Sequence, residues 1–171
     1  MAKTLHGKAH QVEKAYAGDA ERPLGGYLIV LGTYAGFTAT LLGIGRLRGK
    51  RLPGKVGIGD AALLSVATHK LSRLVAKDAL LSPMRAAFTR YEEPAGDGEL
   101  NESVRGHGIR HAVGELISCP FCLAVWIATG LVGGLALAPR LTRTVELIMT
   151  AVAASDALQL LYDTAKDLPE G

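Results

Sequence analysis

Along this chain, long stretches without a charged side chain alternate with dense polar ones. Pro23 to Gly45, "PLGGYLIVLGTYAGFTATLLGIG", carries no charge between Arg22 and Arg46, and Leu116 to Pro139 repeats the pattern between Glu115 and Arg140. A bilayer core requires about 20 apolar residues in helical form. A soluble helix would also show a polar face, which neither stretch has. Both are expected to span a membrane. A third stretch, Val56 to Leu81, is amphipathic instead: Leu63, Leu64, Ala67, Leu71, Leu74 and Val75 recur at helical spacing, opposite His69, Lys70, Arg73 and Lys77. Spanning would bury charges that cost about 2.5 to 3.5 kcal/mol each at a helix centre, so a partly inserted or bundle-facing helix is expected. The fourth, Thr144 to Tyr162, contains Glu146 and Asp156 and is marginal in apolar length.

These segments predict an all-α fold, a small helical membrane bundle with two to four transmembrane helices. The order is a polar N-terminal tail (1–22), a helical membrane domain (23–163) and a C-terminal tail (164–171). Within the membrane domain the apolar segments are 23–45, 56–81, 116–139 and 144–162, with a polar loop at 82–110. Pro, Gly and mixed charges mark that loop as solvated, with a helix resuming near Val104. Gly32 and Gly36 in the first span, and Gly130 and Gly134 in the second, have the small-xxx-small spacing that lets helices approach closely, so both pairs are expected in helix contacts. Trp126 lies about two turns inside the second span, deeper than an interfacial anchor, and is expected to face the bundle.

Composition agrees with helices in lipid. Of 171 residues, 49% are hydrophobic but only 5% aromatic, which favours helices built from Leu, Ala, Val and Gly over sheets. Mean hydropathy is only +0.22 because polar stretches dilute the apolar runs. A net charge of +3 with spread basic residues gives no nucleic-acid footprint. The one dense cluster, Arg46, Arg48, Lys50, Arg51 and Lys55, favours a cytoplasmic loop, while Lys3, Lys8, Lys14 and Arg22 weigh against it, so orientation stays open. The N-terminal stretch has no apolar core of a signal peptide. Gly-rich nucleotide loops and nucleophile elbows are missing, which removes the common nucleotide and hydrolase chemistries.

The remaining candidate chemistry is "CPFC". Pro120 suits the first turn of a helix, which places Cys119 and Cys122 at a helix N-terminus, where the dipole favours thiolate. Three readings stay open: structural cysteines, a redox pair, or a zinc site completed by His107 and His111 in an H-x3-H-x7-C-x2-C pattern. No cofactor other than that zinc is suggested.

The stretch "GELISCPFCLAVW", preceded by "LSRLVAKDALLSPMRAAFTRYEE" and followed by "AASDAL", resembles a family of bacterial multi-pass membrane proteins of unknown function, DUF1360, which includes a sporulation protein. The resemblance runs from about Asp60 to Tyr162. It marks Arg73, Asp78, Arg85, Glu115, Cys119, Pro120, Cys122, Trp126 and Asp156 as family-pattern positions and omits both histidines. It implies a bacterial cell membrane protein and brings no reaction. The expected function is that of a non-enzymatic scaffold or accessory subunit, with the bilayer and a protein partner or a second copy as its contacts. The alternatives are a membrane thiol–disulfide oxidoreductase using CPFC and, more remotely, a holin-like pore former.

Overall fold

The computed structural model describes residues 11–18, 20–50, 54 and 56–166. Arg51 and Lys55 of the basic cluster, Lys3 and Lys8 of the N-terminal tail, and the end of the C-terminal tail lie outside the described residues. After a helical stretch at 11–17 come α1 (Leu24–Leu47), α2 (Ile58–Lys77), α3 (Ser82–Arg85), β1 (Thr89–Gly96), β2 (Glu99–Val104), α4 (Ile109–Ser118), α5 (Pro120–Leu137) and α6 (Pro139–Lys166). The fold is a helical bundle, and α1, α5 and α6 are long and apolar enough to cross a membrane.

Side chains are distributed as lipid would sort them. Among the described residues the buried apolar ones are few and mostly small, Ala67, Ala76, Ala112 and Leu131, whereas Leu28, Ile29, Leu31, Phe121, Val125, Leu147 and Ile148 point outward. Water would penalise such a surface. In hydrocarbon the large apolar side chains meet lipid, and small residues let helix backbones approach. Helix α2 packs between α5 and α6. Its 20 residues give about 30 Å of rise, and its basic residues gather in the last two turns. Of its polar stripe, Lys70 and Lys77 are half-buried while His69 and Arg73 are exposed.

The second apolar run divides in two. Cys119 is extended (φ −104°, ψ 108°) between α4 and α5, because the Pro120 ring crowds the preceding residue out of the helical region. Leu116, Ile117 and Ser118 therefore finish α4, and the span begins at Pro120. Its 18 residues rise about 27 Å, near the lower limit for crossing. Conversely, α6 extends to 28 residues, beyond the segment expected at 144–162, and qualifies as a span.

The polar loop at 82–110 contains an antiparallel hairpin in which Thr89 pairs with Val104 and Tyr91 with Glu102. Its turn uses Gly96 and Gly98, both at positive φ, around Asp97. Glycine adopts that conformation without a Cβ clash. Together with α3, α4 and the residues before α1, the hairpin forms a polar cap over one end of the bundle.

The two glycine pairs behave differently. A Cβ at Gly134 would lie 2.5 Å from Thr142 Oγ1, and one at Gly130 would lie 3.7 Å from Phe37 Cζ. Nothing lies within 4 Å of a Cβ at Gly32 or Gly36. Within the described chain α1 turns the Gly32 and Gly36 stripe outward and meets α5 through Tyr34, Phe37 and Leu41, so the helix contact expected at these glycines is not made by the chain's own described helices.

Candidate functional site

The cap is fastened by charge pairs of graded burial. Arg85 is 1% exposed. Its guanidinium donates Nε–H to Glu102 Oε2 at 2.7 Å and Nη2–H to Oε1 at 3.2 Å, and also caps the Val75 and Asp78 carbonyls at 2.9 Å each. One side chain thus ties the end of α2 and α3 to β2. Arg73 makes a forked pair with Glu99, and Lys70 meets Asp156 on α6 at 2.5 Å. Asp78 takes the Leu80 N–H on Oδ1 at 2.8 Å, turning the chain after α2. A cavity of 710 Å³ opens between α2, the hairpin turn and α6, faced by Lys70, Arg73, Asp78, Glu99 and Asp156.

On the opposite side of the cap, Glu115 of α4 collects donors from three places. Tyr27 Oη donates to Oε2 at 2.5 Å, Arg22 Nη1 donates to Oε1 at 2.7 Å, and His111 Nε2 lies 3.5 Å from Oε1. Hydrogen bonding with Tyr27 and the nearby Glu115 carboxylate raise the pKa of Arg22 further above its ordinary value, so the cation is permanent. Gly114, one residue earlier, lets α4 sit against the hairpin: a Cβ there would come within 2.6 Å of Val104 Cγ1 and 2.9 Å of the Phe88 carbonyl.

Between these two sides sits CPFC. Cys119 caps α5, its Sγ accepting the Cys122 N–H at 3.3 Å. Pro120 occupies the first turn, where a missing N–H costs nothing. Both cysteines are free, they come within 2.8 Å of each other, and Cys122 is exposed. One turn below, Trp126 meets Tyr34 edge to face with centroids 5.2 Å apart and stacks on Phe37 at 5.9 Å. It faces the bundle and holds α1 against α5. A second cavity, 380 Å³, lies between α1 and the α4–α5 junction and has Tyr27, Glu115 and Cys122 in its wall.

The family-pattern residues Arg73, Asp78, Arg85, Glu115, Cys119, Pro120, Cys122, Trp126 and Asp156 thus gather at the capped end or in the turns just below it. His107 and His111 turn elsewhere. His107 Nδ1 meets Glu21 Oε1 at 2.7 Å, and His111 lies between Glu21 and Glu115. Among the described residues no group of three or more His, Cys, Asp and Glu side chains is placed to hold a metal ion. Sequence reasoning missed Glu99 and Glu102, whose partners come from α2 and α3, and the pairing of Arg22 and Tyr27 with Glu115. It also assigned no role to Glu146, which is 3% exposed with Oε1 unpartnered. An acid in an apolar run was its only signal.

Residues 63–162 match the family described as "Protein of unknown function (DUF1360)". The chain belongs to this family. The matched region takes in every family-pattern residue named above. The chain is also similar to the sporulation protein YjcA of Bacillus subtilis (strain 168), with 31% identity over 102 residues, covering 58% of this chain and 86% of YjcA. No solved structure matches it.

Proposed function

We propose that this chain is a multi-pass bacterial membrane protein whose cap lies outside the cytoplasm and whose Cys119 and Cys122 exchange disulfides with protein thiols. The observation that carries the reading is the pair of free cysteines within 2.8 Å at the start of α5. Charge supports this orientation, with Lys14 and Arg22 before α1 counting against it. Arg46, Arg48 and Lys50 at one end of α1, and Arg140 and Arg143 at the start of α6, crowd the uncapped end, and short basic loops stay in the cytoplasm. The capped end, with CPFC, is then in the compartment where disulfides persist. In the exchange, a substrate thiolate attacks the exposed Cys122 sulfur of the Cys119–Cys122 disulfide and releases Cys119 as thiolate. The second substrate thiol then resolves the mixed disulfide, so the substrate loses two electrons and two protons and CPFC gains them.

Labelling intact cells with a membrane-impermeant maleimide, before and after mild reduction, tests both parts. Labelling that depends on prior reduction and is lost in a Cys119→Ser, Cys122→Ser double variant is expected. Thiols that stay reduced under mild oxidation, or that react only after the cells are lysed, would overturn the reading.

A second reading, scaffold or accessory subunit, is favoured by the outward stripe of Gly32, Gly36 and Thr40 on α1, a close-approach face without an occupant among the described residues. Cross-linking in native membranes separates the two readings.

A further inference from the structure

A disulfide catalyst at a membrane surface must dispose of two electrons and two protons each time it regenerates its own disulfide, and the cavity beside Cys122 has the character of a site for the acceptor. We infer, resting on the thiol–disulfide reading, that the 380 Å³ cavity between α1 and the α4–α5 junction binds the head group of a membrane quinone, which oxidises Cys119 and Cys122.

The volume lies within the range of small-molecule sites, about 300 to 1,000 Å³. Tyr27, Tyr34 and Trp126 give the wall aromatic surface on which a planar ring can stack, and Val30, Leu31, Ala112, Leu116 and Val125 add apolar surface. Besides Cys122 and Glu115, the polar groups of the wall are the two tyrosine hydroxyls and the Trp126 indole N–H. Those hydroxyls are already engaged: Tyr27 donates to Glu115. Thr129 gives its proton to the Val125 carbonyl, so the proton in the Tyr34–Thr129 hydrogen bond comes from Tyr34. The Cys122 thiol is therefore the reactive group offered to an occupant. Leu31 and Val125 at the rim are 62% and 54% exposed, so the cavity opens sideways onto the face turned to lipid. A long apolar tail would leave by that opening, and a water-soluble oxidant would have no reason to enter by it.

The step balances within the pair and its acceptor. The S–H bonds of Cys119 and Cys122 break and one S–S bond forms between them. The two electrons pass to the quinone ring and the two protons to its oxygens, giving a hydroquinone. Disulfide exchange with a substrate dithiol then returns the pair to its starting state.

The test uses the purified full-length chain in detergent, reduced and freed of reductant, with decylubiquinone as one oxidant and glutathione disulfide as the other. Val125→Trp and Leu31→Trp fill the rim from either side, so a folding defect in one leaves the other informative. We expect decylubiquinone to convert both thiols of the wild-type chain to disulfide with one hydroquinone formed per pair. The ratio of quinone-driven to glutathione-driven oxidation should fall by at least about tenfold in both variants. If glutathione disulfide oxidises the pair while decylubiquinone does not, or if the ratio is the same in all three proteins, the quinone site is overturned and the thiol–disulfide reading stands. If neither oxidant forms the Cys119–Cys122 disulfide, both fall.

Discussion

The cap and the shaft of this bundle are held by different physics. In the cap, which meets water, side chains distant in sequence are joined by forked guanidinium–carboxylate pairs, with Arg85–Glu102 almost fully withdrawn from solvent. In the shaft, contact is made by absence: Gly134 leaves room for Thr142 and Gly133 for Leu41, and Gly26 does the same where α1 meets the cap at the Gly108 carbonyl. Water drives apolar groups together and lipid does not, so helices in a bilayer depend on close backbone approach. The difference teaches where each part is vulnerable. The ion pairs of the cap fail when a partner is removed, whereas the shaft, like the seat of Gly114 against the hairpin, fails when an atom is added.

The largest effect should come from Arg85→Ala, which strands the buried Glu102 carboxylate and two carbonyls. A loss of about 3 to 5 kcal/mol is expected, read as a lowered unfolding midpoint in detergent and protease cleavage within the hairpin. Next is Gly134→Leu. Thr142 stands where the new Cβ would go, and overpacking of this kind costs about 1 to 3 kcal/mol. Its signature is a destabilised bundle with an intact cap. Arg73→Ala should cost no more than about 1 kcal/mol, because the Arg73–Glu99 pair is partly exposed. Raising salt should shrink that difference while leaving the Arg85 effect in place. The smallest effect belongs to Gly36→Leu, expected within about 0.5 kcal/mol of wild type in the monomer because the stripe is open. A large loss there would mean that α1 has a partner in the detergent-solubilised protein, and cross-linking would then find a second copy or another chain.

The shaft was legible in the sequence and the cap much less so. Uncharged length alone identifies α1 and most of α5, since only the bilayer asks for it, and the spacing of Leu63, Leu64, Leu71 and Leu74 identifies the packed face of α2. The hairpin escaped because β1 is exposed along nearly its whole length. A strand with no buried face shows no alternation, and its Gly-Asp-Gly turn reads equally well as loop. The end of α4 is hidden in the sequence because apolar residues run on through Cys119, and Pro120 marks the start of α5 more plainly than the break it forces on the residue before it. CPFC was visible at once as a motif, while its neighbours were not. That Tyr27, Tyr34 and Glu115 border Cys122 follows from α1 lying against α4 and α5, a contact between residues some 90 positions apart that no local pattern encodes. The glycine stripes show the converse: spacing reveals that a helix can be approached, and the topology decides by what.

The Lys70–Asp156 pair sets a schedule for the making of the protein. The partners are 86 positions apart, and synthesis at about 5 to 20 residues per second puts roughly 4 to 17 s between their appearance. During that interval α2 has emerged with the basic charges of its last turns and without the acid that neutralises one of them. The Lys70 end of α2 is therefore neutralised only once α6 supplies Asp156. A chain interrupted before Asp156 lacks the partner of Lys70, so the contact between α2 and α6 is completed only after the last helix has been made.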